Sequence, residues 1–386
     1  MTLRLGGFLD VRPDERRIAA LAFATLLLIL GGHTVLETAR DALLLTRLPP
    51  RAIGIVYLAV ALCALPASTL AARASERFGP RASLIGTMFI ASTVVMVLFA
   101  LPTKRVGVLA LYVVSGLIGS IAVPQFWTLL AGAFTVGQGR RLIGPVASAG
   151  VLGGVLGSGA AALVLPAIHI KVLLPISVVA FLGAAGVLFF VRTPRRSSPP
   201  ALPQFKGSVR LLRQEPFLIR VAVVVALSAA TLLAIDYFFK WTVIRTVPAA
   251  QVGVFVARYY ALLNGVSLIA QLFLANAIVR RLGVAGSVMV TPLILLIGAA
   301  SSFALGGPVL LVLLVKAADD TLRNSVHRTT IEVLYLPVRS DLRQRAKPFI
   351  DGALGRSAQA MTAVCLLALG SASALSPRVF GAIVLA

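Results

Sequence analysis

The stretch A-L-A-F-A-T-L-L-L-I-L-G-G-H-T-V-L-E-T-A-R-D-A-L-L-L, Ala20 to Leu45, decides the class of fold. Its first half is nearly pure hydrocarbon, and at about 1.5 Å per residue a helix of this length crosses about 30 Å of bilayer core. Unpaired backbone groups are too costly in lipid for any other open structure. Yet Glu37, Arg40 and Asp41 stand at i, i+3 and i+4, on one face of that helix. A membrane helix with a charged face implies protein or water, rather than lipid, on that side.

The same texture runs through the chain. Of 386 residues, 59% are hydrophobic and 13% charged, with mean hydropathy +0.96. That composition cannot supply the surface of a soluble protein of this size. Apolar spans fall near 18–45, 53–72, 83–101, 106–130, 143–166, 172–191, 217–243, 254–279, 286–305, 307–326 and 350–373. A twelfth begins at Val379, and about eight residues remain to Ala386, too few to span, so the last helix reads as truncated or the native chain as longer. The expectation is an all-α polytopic membrane protein. Asp10, Asp14 and Glu15 interrupt the basic flank of the first span, which therefore does not read as a cleavable signal.

The net charge of +23 raises the question of nucleic acid. With the N-terminus inside, about 22 Lys and Arg fall on the cytoplasmic side and about eight outside, the positive-inside pattern. No basic module interleaved with aromatics is present, so nucleic acid is not an expected partner. A bacterial inner membrane with a cytoplasmic N-terminus is the expected location, and the richest basic stretch, Val191 to Arg213, is expected to meet anionic headgroups. Cys63 and Cys365 form no CxxC pair, and His33, His169 and His327 lack metal-ligand spacing. No phosphate-binding G-x-x-x-x-G-K-[ST] loop occurs, which excludes an ATP-driven pump acting alone. No cofactor, metal or enzymatic constellation is expected.

The Pro/Ser/Arg-rich linker at 192–213 divides the chain into an N-terminal six-helix half, 1–191, and a C-terminal half, 214–386, of five complete helices and a stub. Span one ends in T-R-L-P and span seven, carrying Asp236 and Lys240, in I-R-T-V-P. Arg40 and Lys240 lie within about one residue of each other when counted back from Pro49 and Pro248. The turns R-A-S-E-R-F-G-P-R-A-S (Arg73 to Ser83) and R-R-L-G-V-A-G-S (Arg280 to Ser287) follow spans two and eight. Basic residues before glycine in both turns resemble the short cytoplasmic loops of the major facilitator superfamily. Its two six-helix halves, long central loop and N-in topology match this layout.

Span five contains Gly150/Gly154 and Gly153/Gly157, small-xxx-small pairs suited to close helix packing or to a surface that slides during alternating access. Three spans carry charge clusters: Glu37, Arg40 and Asp41 in span one, Asp236 and Lys240 in span seven, and Lys316, Asp319 and Asp320 in span ten. The first two clusters lie in the outer half of their spans, where long side chains can snorkel, and the third near the middle. Neutralisation within each helix is one explanation, pairing Arg40 with Glu37, Lys240 with Asp236, and Lys316 with Asp319 or Asp320. The recurrence of clusters in spans one, seven and ten favours the other, a shared polar pathway, to which Gln125, Arg258, Tyr259, Tyr260, Asn264 and Arg323 would add. A surplus of cations there would attract an anion, and pairs that swap partners would allow gating.

Beyond span ten runs T-L-R-N-S-V-H-R-T-T-I-E-V-L-Y-L-P-V-R-S-D-L-R-Q-R-A-K-P-F-I-D-G-A-L-G-R, Thr321 to Arg356. Its Glu332-Val-Leu-Tyr335-Leu-Pro337, Arg345-Ala-Lys347 and Phe349-Ile-Asp351 with Arg356 resemble the ATP/ADP translocase family of plastids and intracellular bacteria. Arg40-Asp41 and Asp236-Tyr-Phe-Phe-Lys240 extend the match to the first and seventh spans. The resemblance implies a facilitator-like antiporter exchanging nucleotides, with cavity cations holding phosphates through charge-assisted hydrogen bonds. Two positions depart from the pattern. Gly116 stands where the family often has an acid in its fourth helix, and Ile331 replaces the lysine before Glu332, which marks a divergent bacterial branch.

The sequence therefore predicts a secondary transporter working by alternating access, with membrane lipids and an anionic small molecule, ATP and ADP among the candidates, as partners. Arg40, Lys240, Lys316 and Arg323 are the expected substrate-binding cations. Glu37, Asp41, Asp236, Asp319 and Asp320 are their counter-ions, and Asp351 and Arg356 candidates for an inner gate. The connection 321–356 also admits a simpler role, its arginines meeting lipid phosphates. The alternatives are a carrier of lipids or amphipathic anions and a membrane scaffold that transports nothing.

Overall fold

The computed structural model describes residues 12–13, 15–102, 104–191, 215–305, 308–323, 334–335, 338, 342 and 346–371. The linker 192–213, the signature residues Glu332, Pro337, Arg339, Arg343 and Arg345, and the stub from Val379 lie outside the described residues. Among those described, every regular element is helical and no strand occurs.

The helices are α1 (Arg16–Arg47), α2 (Arg51–Phe78), α3 (Pro80–Ala100), α4 (Arg105–Ala133), α5 (Val136–Val164), α6 (Leu173–Phe189), α7 (Pro216–Thr246), α8 (Ala249–Ile269), α9 (Ala275–Leu305), α10 (Val309–Leu322) and α11 (Gly355–Ser371). Their ends follow local chemistry. Proline opens α3 and α7 at the first turn, where its missing N–H is no loss. Thr135 caps α5, its hydroxyl accepting from the Gln138 amide at 3.3 Å while Gln138 Oε1 accepts from the Thr135 amide at 3.0 Å. A π turn at Ala270–Leu274 joins α8 to α9, and a second at Pro348–Leu354 leads into α11. Gly283, at φ 67° and ψ −176°, breaks α9 in a conformation open almost only to glycine, separating the eighth span of the sequence from the ninth.

Eight helices among the described residues, α1 to α8 with α6 extended back to Ile170, are long and apolar enough to cross a bilayer. For the ninth to eleventh spans the described residues give only parts. The apolar part of α9 is Met289–Ser302, and α10 and α11 have 14 and 17 residues.

The chain forms two compact units. The first comprises Met1–Leu43, Pro66–Pro200 and Gly253–Asn264, and the second Leu44–Leu65, Ala201–Val252 and Gly265–Ala386. In the first, α3 packs on α4 and α6, while α1 meets α5 backbone to backbone. A Cβ on Gly157 would fall 2.4 Å from the Gly31 carbonyl oxygen, and one on Gly153 2.5 Å from that of Leu27. The glycine pairs of span five thus serve intramolecular packing, the close approach that small residues permit between membrane helices. In the second unit α7 packs on α10 and α11. There Leu218, Val221 and Ala222 of α7 form a core with Phe349, Ile350 and Ala353 that also buries Tyr335.

Candidate functional site

In the first unit the opening charges of α1 converge on α4. Arg40 is 9% exposed, which forbids an unsolvated, unpaired guanidinium. Its Nη2 donates to Glu37 Oε1 at 2.7 Å and its Nη1 to Ser115 Oγ at 3.1 Å. Nε lies 3.4 Å from Asp41 Oδ1, and the Tyr112 ring sits under the guanidinium, 4.4 Å from centroid to carbon. Such stacking suits the planar, weakly hydrated arginine head better than a lysine. The other oxygen of Asp41 accepts from the Tyr260 hydroxyl of α8 at 2.6 Å. One turn before Glu37, His33 Nε2 lies 3.1 Å from the Ser115 carbonyl oxygen, and its Nδ1 3.7 Å from Glu37 Oε2.

The second unit holds a larger network. Lys240 of α7 is 1% exposed and Lys316 of α10 4%. Lys240 Nζ donates to Asp236 Oδ2 at 2.8 Å, one helical turn away. Lys316 Nζ reaches two carboxylates, Asp236 Oδ1 at 3.1 Å across the helix interface and Asp320 at 2.9 Å along its own helix. The Tyr57 hydroxyl of α2 donates to Asp236 Oδ2, and its ring faces Lys240 Nζ at 5.4 Å. Beside this, Arg323 Nη2 donates to the fully buried Asp319 at 2.5 Å, and its Nη1 to the Ser228 carbonyl at 3.0 Å. Asp236 is the hub, dividing its oxygens among two lysines and a tyrosine.

The pairings within one helix that the spacing predicts are therefore all present, with Asp320 rather than Asp319 as the partner of Lys316. Among the described residues of these two clusters a surplus of cations is not. The first cluster sets one arginine against two carboxylates, Glu37 and Asp41. The second sets Lys240, Lys316 and Arg323 against Asp236, Asp319 and Asp320. Asp351 accepts from the Tyr335 hydroxyl at 3.0 Å, and Arg356 donates to Gln359 at 3.1 Å, so each has a local partner at the start of α11.

Some polar residues expected to line a wet interior have packing roles instead. Gln125 is 6% exposed and donates to Ser83 Oγ of α3 at 2.9 Å. Asn264 donates to the buried Ser158 of α5 at 3.2 Å, beside Gly154. Arg258 is exposed. Sequence reading passed over His33, Tyr57, Tyr112 and Ser115. A signal existed for the tyrosines, since a phenol in an apolar span needs a hydrogen-bond partner. None marked Ser115 as a partner for Arg40.

Among the described residues no cluster of His, Cys, Asp and Glu is arranged to hold a metal ion. What the two networks can do is exchange ion pairs: each buried cation already has a carboxylate that an incoming group could displace or a proton could neutralise.

No curated protein sequence matches the chain. Solved structures do. The chain is similar to a POT family peptide transporter in an auto-inhibited state, with TM-score 0.72, 13% identity, and 96% of this chain and 94% of that one covered. It is similar to a D-xylose-proton symporter (TM-score 0.70, 14% identity, 96% and 95% covered) and to the nucleoside transporter NupG (TM-score 0.69, 10% identity, 96% of each covered). At these identities the likeness establishes a shared fold. The sequence model of the Major Facilitator Superfamily matches residues 13–318, most of the chain. With two compact helical units, eight bilayer-length helices and charges buried between packed helices, the chain belongs to the Major Facilitator Superfamily, whose members are in general carriers of the secondary-transport type.

Proposed function

We propose that this protein is an antiporter for nucleotides or a related phosphorylated anion, working by alternating access, with Arg40, Lys240, Lys316 and Arg323 as the substrate-side cations. The observation that carries this reading is Lys316 shared between Asp236 and Asp320 while Lys240 holds the other side of Asp236. Two ammonium groups on one carboxylate form a site in which a phosphate can replace Asp236 without leaving either lysine unpaired. Lost and gained interactions then nearly balance, as a reversible carrier requires. The match of Asp236-Tyr-Phe-Phe-Lys240 and Arg40-Asp41 to the translocase motifs supports the nucleotide class.

Glu37, Asp41, Asp236, Asp319 and Asp320 act in this reading as resting counter-ions, and Asp351 and Arg356 as members of the inner gate. The distribution of Lys and Arg supports a bacterial inner membrane with a cytoplasmic N-terminus and contact with anionic lipid.

The balanced charges of the second unit favour a second reading, a polar solute with no net charge. Fully paired charges are also what a scaffold would carry. Counterflow in liposomes separates the three: labelled ATP exchanging against ADP supports the first, exchange confined to uncharged solutes the second, and no counterflow of any solute by folded protein the scaffold. Lysolipid and inorganic phosphate belong in the panel, because preferential exchange of lysolipid would indicate an amphipathic-anion carrier.

A further inference from the structure

In the first unit, α3 and α6 leave a groove of about 450 Å³ between them. Phe89, Thr93, Met96 and Ala100, spaced i, i+4, i+7 and i+11 along one face of α3, form one wall, and Val178 and Leu182 of α6 the other. From Phe89 to Ala100 the axial rise is about 16 Å, close to the depth of one leaflet in a hydrocarbon core about 30 Å thick. The Thr93 hydroxyl turns back to the Phe89 carbonyl of its own helix at 2.9 Å, so it adds no polar group to the wall. Such a slot admits a hydrocarbon chain and offers nothing to an ion.

One end of the groove is basic. Ala100 closes α3 and Lys171 stands two residues before α6, so both mark that end. Lys171 Nζ donates to the Phe99 carbonyl at 3.3 Å and the Leu101 carbonyl at 2.7 Å. It thereby fastens the start of α6 to the end of α3 with two of its three N–H donors. Lys104 and Arg105, both exposed, open α4 just beyond Ala100. No aspartate or glutamate occurs between Glu76 and Glu215, so none of the four helices α3 to α6 carries an acid that could neutralise these cations. The basic linker 192–213 follows the other end of α6 and belongs to the opposite membrane face.

We propose that this groove binds one anionic phospholipid, its acyl chain lying between α3 and α6 and its phosphate at Lys104, Arg105 and Lys171. The headgroup supplies the counter-charge that these helices lack, worth about fivefold in affinity per cation. A second copy of the chain is a poor occupant. A two-fold contact through this face would set the cations of one copy against those of the other, with no acid on either. The site uses no residue of the two charge networks, so it stands without the transport reading.

The test is native mass spectrometry of the full chain released from micelles carrying phosphatidylglycerol or phosphatidylcholine with the same acyl chains. The wild type is expected to hold one phosphatidylglycerol at least about tenfold more tightly than phosphatidylcholine, and Lys104→Gln with Arg105→Gln to lower that preference at least about fivefold. Both side chains are exposed, so the double variant keeps the fold. Ala100→Trp, also at an exposed position, fills the mouth of the groove and is expected to lose the retained lipid although all three cations remain. Equal retention of the two lipids by the wild type, an unchanged preference in the double variant, or undiminished phosphatidylglycerol in Ala100→Trp would each overturn the proposal. So would a lipid-free dimer that dissociates in Ala100→Trp, since it would give the groove to a second copy.

Discussion

Replacing Lys316 by methionine removes the ammonium that bridges α7 and α10. In the wild type Lys316 Nζ lies 2.9 Å from Asp320 and 3.1 Å from Asp236, and its side chain is 6% exposed against 18% and 19% for the two carboxylates. Methionine fills the same volume, so little cavity term enters. Asp236 retains Lys240 at 2.8 Å and Tyr57, whereas Asp320 loses the lysine that neutralises it. Breaking one partner out of a buried pair costs about 3–5 kcal/mol, and the partial exposure of the carboxylates places this case near about 3 kcal/mol. Lys316→Met is therefore expected to lose about 3 kcal/mol in equilibrium unfolding in mixed micelles. Adding Asp320→Asn should recover about half of that, giving a large coupling in the double-mutant cycle. A loss below about 1 kcal/mol for Lys316→Met, or additive effects in the cycle, would refute the claim that this lysine is a buried, shared counter-ion.

Other substitutions probe neighbouring contacts. Tyr260→Phe removes a hydroxyl donor to the buried Asp41 and Tyr57→Phe one to the partly exposed Asp236, and each should cost about 1–3 kcal/mol by the same unfolding assay, the second the less. Arg40→Lys keeps the charge but cannot hold Glu37 and Ser115 together while lying over Tyr112. Counterflow should therefore fall well below wild type although the protein inserts normally. Ser83→Ala strands the Gln125 amide and should cost about 1–3 kcal/mol, while Ser83→Ala with Gln125→Leu should return close to wild-type stability and activity, as a packing pair predicts. Gly157→Val drives a side chain into the Gly31 carbonyl of α1 and should reduce folded yield sharply, measured by size-exclusion recovery.

The helical, membrane-spanning architecture was legible because every bilayer crossing demands a long apolar run, and the glycines of span five announced a close helix contact. The charge clusters were legible as far as one helix carries them: Glu37 with Arg40, Asp236 with Lys240 and Lys316 with Asp320 all follow from i, i+3 and i+4 geometry. The contacts between helices were not. Nothing in the spacing of Asp236 and Lys316, 80 positions apart, reveals that α7 and α10 bring them to 3.1 Å. Ser115 lies hidden for the same reason, since a serine in an apolar span looks alike whether it bonds its own helix or an arginine of another. Gln125 misled because polarity in a span signals a need for a partner without saying whether that partner is water or Ser83.

Counterflow of labelled ATP against internal ADP in liposomes, measured for the wild type beside Lys240→Ala and Lys316→Ala of equal insertion, tests the central claim most directly. The account predicts saturable exchange by the wild type and exchange reduced to the background of empty liposomes in both variants. Undiminished exchange in both variants, or no exchange of any nucleotide by folded wild-type protein, would contradict it.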